Sequence, residues 1–377
     1  MEKGREKIKV CYVMPRCSED LDSHIFYLYD FLKRAAEILD VYLIIEKSDT
    51  RKIEGSFKKV SFQKFSGVVR YLENFLLIAK ARFLGYKNFY VHYSYVGAIN
   101  AILVSRLTGA RTFYWSCGMM WLFKKKFKLS WGTFKDKLTK EWPLKFILKQ
   151  VDYLVTGNET MKLGYYKHYN IPLAKIKVMP NWIDLERFNP DKFDRNALRE
   201  KYDIPLHKKV VLFVHHLSER KGADLISPIA EELKSDEDVI FIVCGGGPYK
   251  SKLEKEIDAK GLRDMVRLEG AVPNRKIPEY FAIADVFLMP SREEGFPRVL
   301  LESMAMNVPY IASDVGGVRE ITPDILADYI IGGFEVSDYC GPIRSIFNIS
   351  PAFDSRSYDK RYDTENILKI FYSLFNK

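Results

Sequence analysis

Glu294 and Glu302 flank a turn and a helix start, with seven residues between them. The joining segment, Gly295-Phe296-Pro297-Arg298-Val299-Leu300, reads as a loop running into a helix. Pro297 suits the first helical position, where a missing N–H costs nothing. The backbone donors of Arg298, Val299 and Leu300 would then be free. Free amides at the positive end of a helix dipole make an anion site. One carboxylate thus enters a phosphate-binding turn, and the other lies a turn into the helix.

Positioning these groups takes a strand, a loop, a helix and a second strand. Val286–Met289 is a short apolar run ending at Pro290, the size of a buried parallel strand. Val299, Leu300 and Met304 form an inward stripe, which leaves Glu302 able to face a cleft. A second strand and the glycine loop Asp314-Val315-Gly316-Gly317 follow.

The rest of the chain repeats the same grammar. In the N-terminal half, strands are expected at 7–14, 41–46, 89–93, 112–115 and 151–155, with helices at 24–39, 96–108 and 158–169. A further helix should end near Lys80, Arg82 and Lys87. Strand, helix and strand in this order make right-handed βαβ units and a parallel sheet. His92 ends a strand on the side where open α/β sheets bind ligands. A second series opens at 208–215 and runs through 239–244 into Gly245-Gly246-Gly247-Pro248, then through 266–270 to Val272 and a helix at 277–284. The glycine run is not the dinucleotide fingerprint, and it lies too late in the chain for one. A chain of 377 residues with 47% hydrophobic content is too long for one core and is expected to form two domains.

The 284–320 block, with Pro290-Ser291 before the carboxylates and Ala312-Ser313-Asp314-Val315-Gly316-Gly317 after them, resembles the retaining glycosyltransferases of family 4. Arg220-Lys221-Gly222, preceded by His215 where the family has arginine, matches a second motif, and Gly245-Gly246-Gly247-Pro248 a third. Pro180-Asn181-Trp182-Ile183-Asp184 resembles the family's interdomain link, with Trp182 in place of glycine. The resemblance implies a GT-B fold, α/β in class, with two Rossmann-like domains facing a central cleft. Residues 1–185 would bind the acceptor, 186–355 the donor, and a last helix within 356–377 would cross back to the first domain.

By the same resemblance, Lys221 is a point charge on the donor diphosphate, with His215 and Arg220 sharing that task. Glu294 would bind hydroxyls of the transferred sugar, and Glu302 the ribose of the nucleotide. Gly245, Gly247, Val272, Gly295, Phe296, Pro297, Arg298, Val299 and Leu300 would line the donor. The donor would be a UDP- or GDP-sugar, transferred with retention and without an obligatory metal or cofactor. Where the family has His-Gly, this chain has Cys117-Gly118, a departure that bears on the sugar held. Together with His92, these are the candidate contacts to sugar or acceptor. A nucleotide-sugar epimerase or hydrolase of the same fold, and a transferase with a soluble acceptor, are the alternatives.

Charge points to the acceptor. Residues 1–190 carry 33 Lys/Arg against 18 Asp/Glu, whereas residues 191–377 carry 26 against 31. The segment 119–149 interleaves Trp and Phe with lysines; Trp121, Lys124, Lys125, Lys126, Lys128 and Trp131 suit an anionic membrane surface that presents a glycan or lipid-linked acceptor. Nucleic acid is not expected. Five scattered cysteines, and no apolar core after MEKGREK, imply a reducing compartment and a cytoplasmic protein lying peripherally on a membrane.

Overall fold

The computed structural model describes residues 6–17, 25–47, 59–118, 141–236, 238–349 and 360–376, with Ile53, Phe57 and Thr139. The chain divides into two compact units, Met1–Pro180 with Glu365–Lys377, and Asn181–Thr364.

Apolar runs, most of them buried on both faces, make the first unit's sheet. Its strands are β1 (Lys9–Met14), β2 (Asp40–Ile45), β3 (Lys59–Phe62), β4 (Asn88–His92), β5 (Arg111–Trp115), β6 (Tyr153–Thr156) and β7 (Ile176–Val178). All pair in parallel, in the order β3-β2-β1-β4-β5-β6-β7. Helices α1 (Phe26–Ile38), α2 (Val69–Phe83), α3 (Tyr95–Thr108), α4 (Trp142–Gln150) and α5 (Glu159–Tyr169) connect them. The order reverses between β1 and β4, which leaves a crevice outside the carboxyl ends of those strands.

The second unit repeats the plan. Strands β8 (Lys209–Val214), β9 (Val239–Cys244), β10 (Val266–Gly270), β11 (Val286–Met289), β12 (Tyr310–Ser313) and β13 (Ile330–Ile331) form a parallel sheet in the order β10-β9-β8-β11-β12-β13. Its helices are α6 (Arg195–Lys201), α7 (Ala223–Glu232), α8 (Lys250–Ala259), α9 (Ile277–Ile283), α10 (Arg298–Ala305), α11 (Val318–Ile321) and α12 (Val336–Ile349). Here the order reverses between β8 and β11. The final helix, α13 (Thr364–Ser373), packs into the first unit, with the Phe371 ring 5.4 Å from Phe31 and 5.1 Å from Tyr90.

The expected strands and helices recur within a few residues of their boundaries, and several elements are additional, among them β7, α4, α6, α11, β13 and α12. Strand β7 is too short to stand out as a run. Helix α4 lies inside the lysine-rich segment, where Pro143 opens it. Helix α12 contains Pro342, which breaks the usual helical signal. Trp121, Lys124, Lys125, Lys126, Lys128 and Trp131 lie outside the described residues.

Candidate active site

Strand β8 delivers His215 and strand β11 delivers the Pro290–Pro297 loop to the reversal point of the second sheet. Between β8 and α7, a short turn at Glu219–Lys221 ends in Gly222 at φ +74°, and this places Lys221 against the loop. Lys221 Nζ donates to Glu294 Oε1 at 2.7 Å, and His215 Nε2 lies 3.1 Å from the same oxygen. Among the described residues nothing hydrogen-bonds Glu294 Oε2, which leaves that oxygen to accept from a hydroxyl.

The protonation states follow from the bonds. The His216 N–H donates to His215 Nδ1 at 2.9 Å, so Nε2 carries the proton of the neutral ring and donates to Glu294. Burial lowers the His215 pKa against the pull of Glu294, in keeping with a neutral ring. Burial alone would raise the Glu294 carboxyl, but His215 and Lys221 outweigh it and hold it at about 2. Burial also lowers Lys221, and Glu294 counters it. The site therefore holds an ionised carboxylate against an ammonium group with donors to spare.

Two glycines let the neighbouring chain press on this loop. A Cβ at Gly222 would stand 2.1 Å from Pro290 O, and one at Gly316, where φ is +60°, would stand 1.9 Å from Glu294 O. The Gly317 N–H then donates to Gly295 O at 2.9 Å. Arg292 grips Asp224 with two 2.6 Å bonds, and its own N–H donates to Arg220 O at 2.9 Å. On the far side of the loop, Asn181 Nδ2 donates to Phe296 O at 2.8 Å. The loop is thus fixed at both ends by groups distant in sequence.

The helix start differs from the expectation in one respect. Pro297 is the N-cap of α10, with φ −72° and ψ 110°, and the first helical residue is Arg298. The Leu300 N–H bonds Pro297 O at 3.3 Å, so the Val299 amide is the one the helix start presents to an anion. Phe296, Val299 and Leu300 send their side chains into the hydrophobic core, and any donor contact they make comes from backbone. Glu302 is half-buried on α10. Burial raises its pKa, while Arg298 and Arg187 pull it down.

The remaining donor candidates gather beside His215. Gly245 N–H donates to Gly270 O at 2.7 Å, and Leu217 N–H to Gly246 O at 2.9 Å, so the glycine loop is pinned to the segment after β8. Gly247 O accepts from Lys250 N–H at 3.2 Å, and Val272 packs at the edge of the core. Arg220 is exposed; its charge acts on Lys221, His215 and Glu293. Glu293, buried beside Lys221 with a raised pKa, and the Arg292–Asp224 fork were not singled out by sequence reasoning. The adjacent acids Glu293-Glu294 were the available signal for the first; nothing local signals the fork.

In the first unit, His92 is packed among aromatic neighbours at the end of β4. Its ring stacks on Trp115 at 4.3 Å, Tyr12 OH bonds its Nδ1 at 2.9 Å, and burial drives its pKa to about 3. Cys117 donates its N–H to Tyr93 OH at 3.3 Å, burial pushes its thiol up, and Gly118 O accepts from Tyr165 OH at 3.0 Å. A cavity of about 680 Å³ opens at the carboxyl ends of β1–β4, lined by Arg16, Lys47, Lys64 and Arg70 with Glu46 and Ser94. Ser94 Oγ and Asn74 Nδ2 donate to Glu46, and burial raises its pKa.

Comparison with known proteins agrees with this picture. Residues 194–346 match the family described as Glycosyl transferases group 1. A phosphatidylinositol N-acetylglucosaminyltransferase GPI3 subunit from Saccharomyces cerevisiae is 29% identical over 245 residues, covering 62% of this chain and 53% of that protein. A GDP-mannose-dependent alpha-(1-6)-phosphatidylinositol monomannoside mannosyltransferase from Mycobacterium tuberculosis is 32% identical over 173 residues, covering 44% and 45%. The matched stretch thus spans about half the length of these curated relatives. The crystal structure of Anabaena HepE in complex with UDP shares the fold, with a TM-score of 0.79 at 15% identity over 97% of this chain and 99% of that one. Sheet topology, motif and family model point the same way: residues 194–346 match the group 1 glycosyltransferases, and the two units carry the GT-B fold.

Proposed function

We propose that this chain transfers a sugar, with retention, from a UDP- or GDP-sugar to a glycan or lipid-linked acceptor at a membrane surface. The observation that carries the reading is the Lys221–Glu294–His215 cluster beside the start of α10. In the transfer, the bond from the anomeric carbon to the diphosphate breaks and an acceptor oxygen bonds the same face. The acceptor proton passes to the leaving phosphate. Charge grows on that phosphate, and fixed donors aimed at growing charge give the largest assistance. Lys221 and the amide of Val299 are those donors. Glu294 accepts from a sugar hydroxyl through its open oxygen, and Glu302 from the nucleotide ribose. No metal is assigned a role in this scheme.

The relatives' names support both halves of the reading, since one is GDP-mannose-dependent and two carry phosphatidylinositol acceptors in their names. The UDP complex of the Anabaena protein supports the uridine donor as strongly as the mannosyltransferase supports the guanosine one. The acceptor is assigned to the cationic cavity of the first unit. Release of nucleoside diphosphate from a panel of UDP- and GDP-sugars tests the reading, with and without phosphorylated glycan or lipid acceptors. Transfer of label from one donor to an acceptor is the expected result. Binding of every donor without cleavage would overturn it.

A further inference from the structure

Helix α2 carries an apolar face that stands exposed among the described residues. Val68, Leu72 and Leu76 recur at helical spacing, and Phe83 continues the line near the helix end, with exposures of 84%, 61%, 57% and 92%. The opposite face, with Asn74, Ile78 and Ala81, is the buried one. Leu103 and Leu107 of α3 are exposed as well. Asn100 Nδ2 donates to Tyr71 O at 3.0 Å, and an Arg82 guanidinium nitrogen to Thr108 O at 3.1 Å, so hydrogen bonds tie the two helices together. The outward side of a surface helix is ordinarily polar, and a contiguous apolar ridge marks an interaction surface.

Charge decides what covers it. Residues 59–118 contain eight Lys/Arg and a single acid, Glu73. That acid is occupied, accepting the N–H groups of Lys64 and Phe65 at 2.8 and 2.9 Å. Lys80, Arg82 and Lys87 stand around the C-terminal end of α2, and Arg106 in the last turn of α3. A second copy of this face would bring like charges together, which disfavours a dimer through it. A bilayer with anionic headgroups matches both properties, because apolar side chains enter the acyl boundary while cations meet the phosphates.

We propose that the α2–α3 face is the surface by which this chain lies on an anionic membrane. The proposal rests on the membrane-surface reading above and gives it a location. No helix among the described residues is long and apolar enough to cross a bilayer.

The test is sedimentation of the full chain with vesicles of phosphatidylcholine alone and of phosphatidylcholine mixed with phosphatidylglycerol. Wild type should sediment with the mixed vesicles at low salt, less at high salt, and not with phosphatidylcholine alone. The variant Leu72→Ser/Leu76→Ser/Phe83→Ser should lose about tenfold or more in partitioning. Lys80→Gln/Lys87→Gln should lose about 25-fold, at roughly fivefold per charge. The melting midpoints should stay at the wild-type value, because the substituted side chains are exposed. Wild-type binding by both variants would overturn the proposal, as would equal binding of wild type to neutral vesicles. So would a dimer that the serine variant dissociates without change in vesicle binding. Donor cleavage is read in the same samples: lost vesicle binding with donor cleavage intact in wild type defeats this proposal alone, and the converse defeats the glycosyltransferase reading alone.

Discussion

Lys221 Nζ lies 2.7 Å from Glu294 Oε1, and each side chain is only 7% exposed. The pair brings together two loops that are 73 residues apart in the chain. It orients the ammonium group before any ligand arrives. An exposed lysine would have to lose rotamer freedom on binding a diphosphate, whereas this one has already done so. The cost is the desolvation of both charges, which their proximity and the His215 bond offset.

Lys221→Ala should lower turnover by about 100-fold or more, as expected for loss of one donor aimed at the leaving group. Lys221→Arg should recover little, because a planar fork does not replace a compact point charge in a packed site. Steady-state kinetics at saturating donor check this. A near-normal kcat for the alanine variant would remove Lys221 from the chemistry.

Glu294→Gln tests the pair through stability. The Glu294 pKa falls from an ordinary 4.5 to about 2 in the folded chain. A depressed acid contributes stability that is present above 4.5 and lost as pH falls through the folded value. The variant also leaves Lys221 buried without its counter-charge, at a cost of roughly 3–5 kcal/mol. Urea unfolding should therefore show a large deficit at neutral pH that narrows steadily below pH 4.5. A deficit independent of pH would mean that the carboxylate is not the group held down.

Glu302 should behave in the opposite sense. Burial raises its pKa, so its contribution is complete below the ordinary value of 4.5 and is lost as pH rises through the folded one. Glu302→Gln should accordingly be no less stable than wild type at neutral pH, while weakening nucleoside diphosphate binding by about tenfold through loss of a charged hydrogen bond. Calorimetric titration with UDP and GDP, together with melting curves, separates these effects. Loss of stability with unchanged nucleotide affinity would make Glu302 a structural residue.

Much of this was legible from the amino-acid order because it is local. Short apolar runs ending in glycine or proline marked the strands, and Glu294, Glu302 and Gly316 lie in segments whose pattern suggested their loops and helix, whereas Lys221 was marked by the family motif. What escaped depends on partners far away. Arg292 and Asp224 form their fork across 68 positions, and nothing around either residue announces it. The packing around His92 was hidden as well, since Tyr12 and Trp115 contact it from 80 and 23 residues away. The α2 face was hidden for a different reason: leucine and valine at helical spacing imply burial until the neighbouring layers are seen to leave them bare.

The cationic cavity of the first unit gives the last prediction. Arg70 lines it near the start of α2, and its carbonyl accepts from Gln63, so its backbone is fixed while its guanidinium borders the space. Lys64 lines the same space from the loop after β3. If an anionic acceptor is held there, Arg70→Gln and Lys64→Gln should each raise the acceptor KM by about tenfold, the usual consequence of losing one charged contact. Donor KM and acceptor-independent hydrolysis of the donor should stay unchanged, because the donor residues are in the second unit. Adding salt should raise the wild-type acceptor KM more than that of the double variant, whose charges are already gone. A double variant with wild-type acceptor KM and the same salt response would show that the acceptor binds elsewhere.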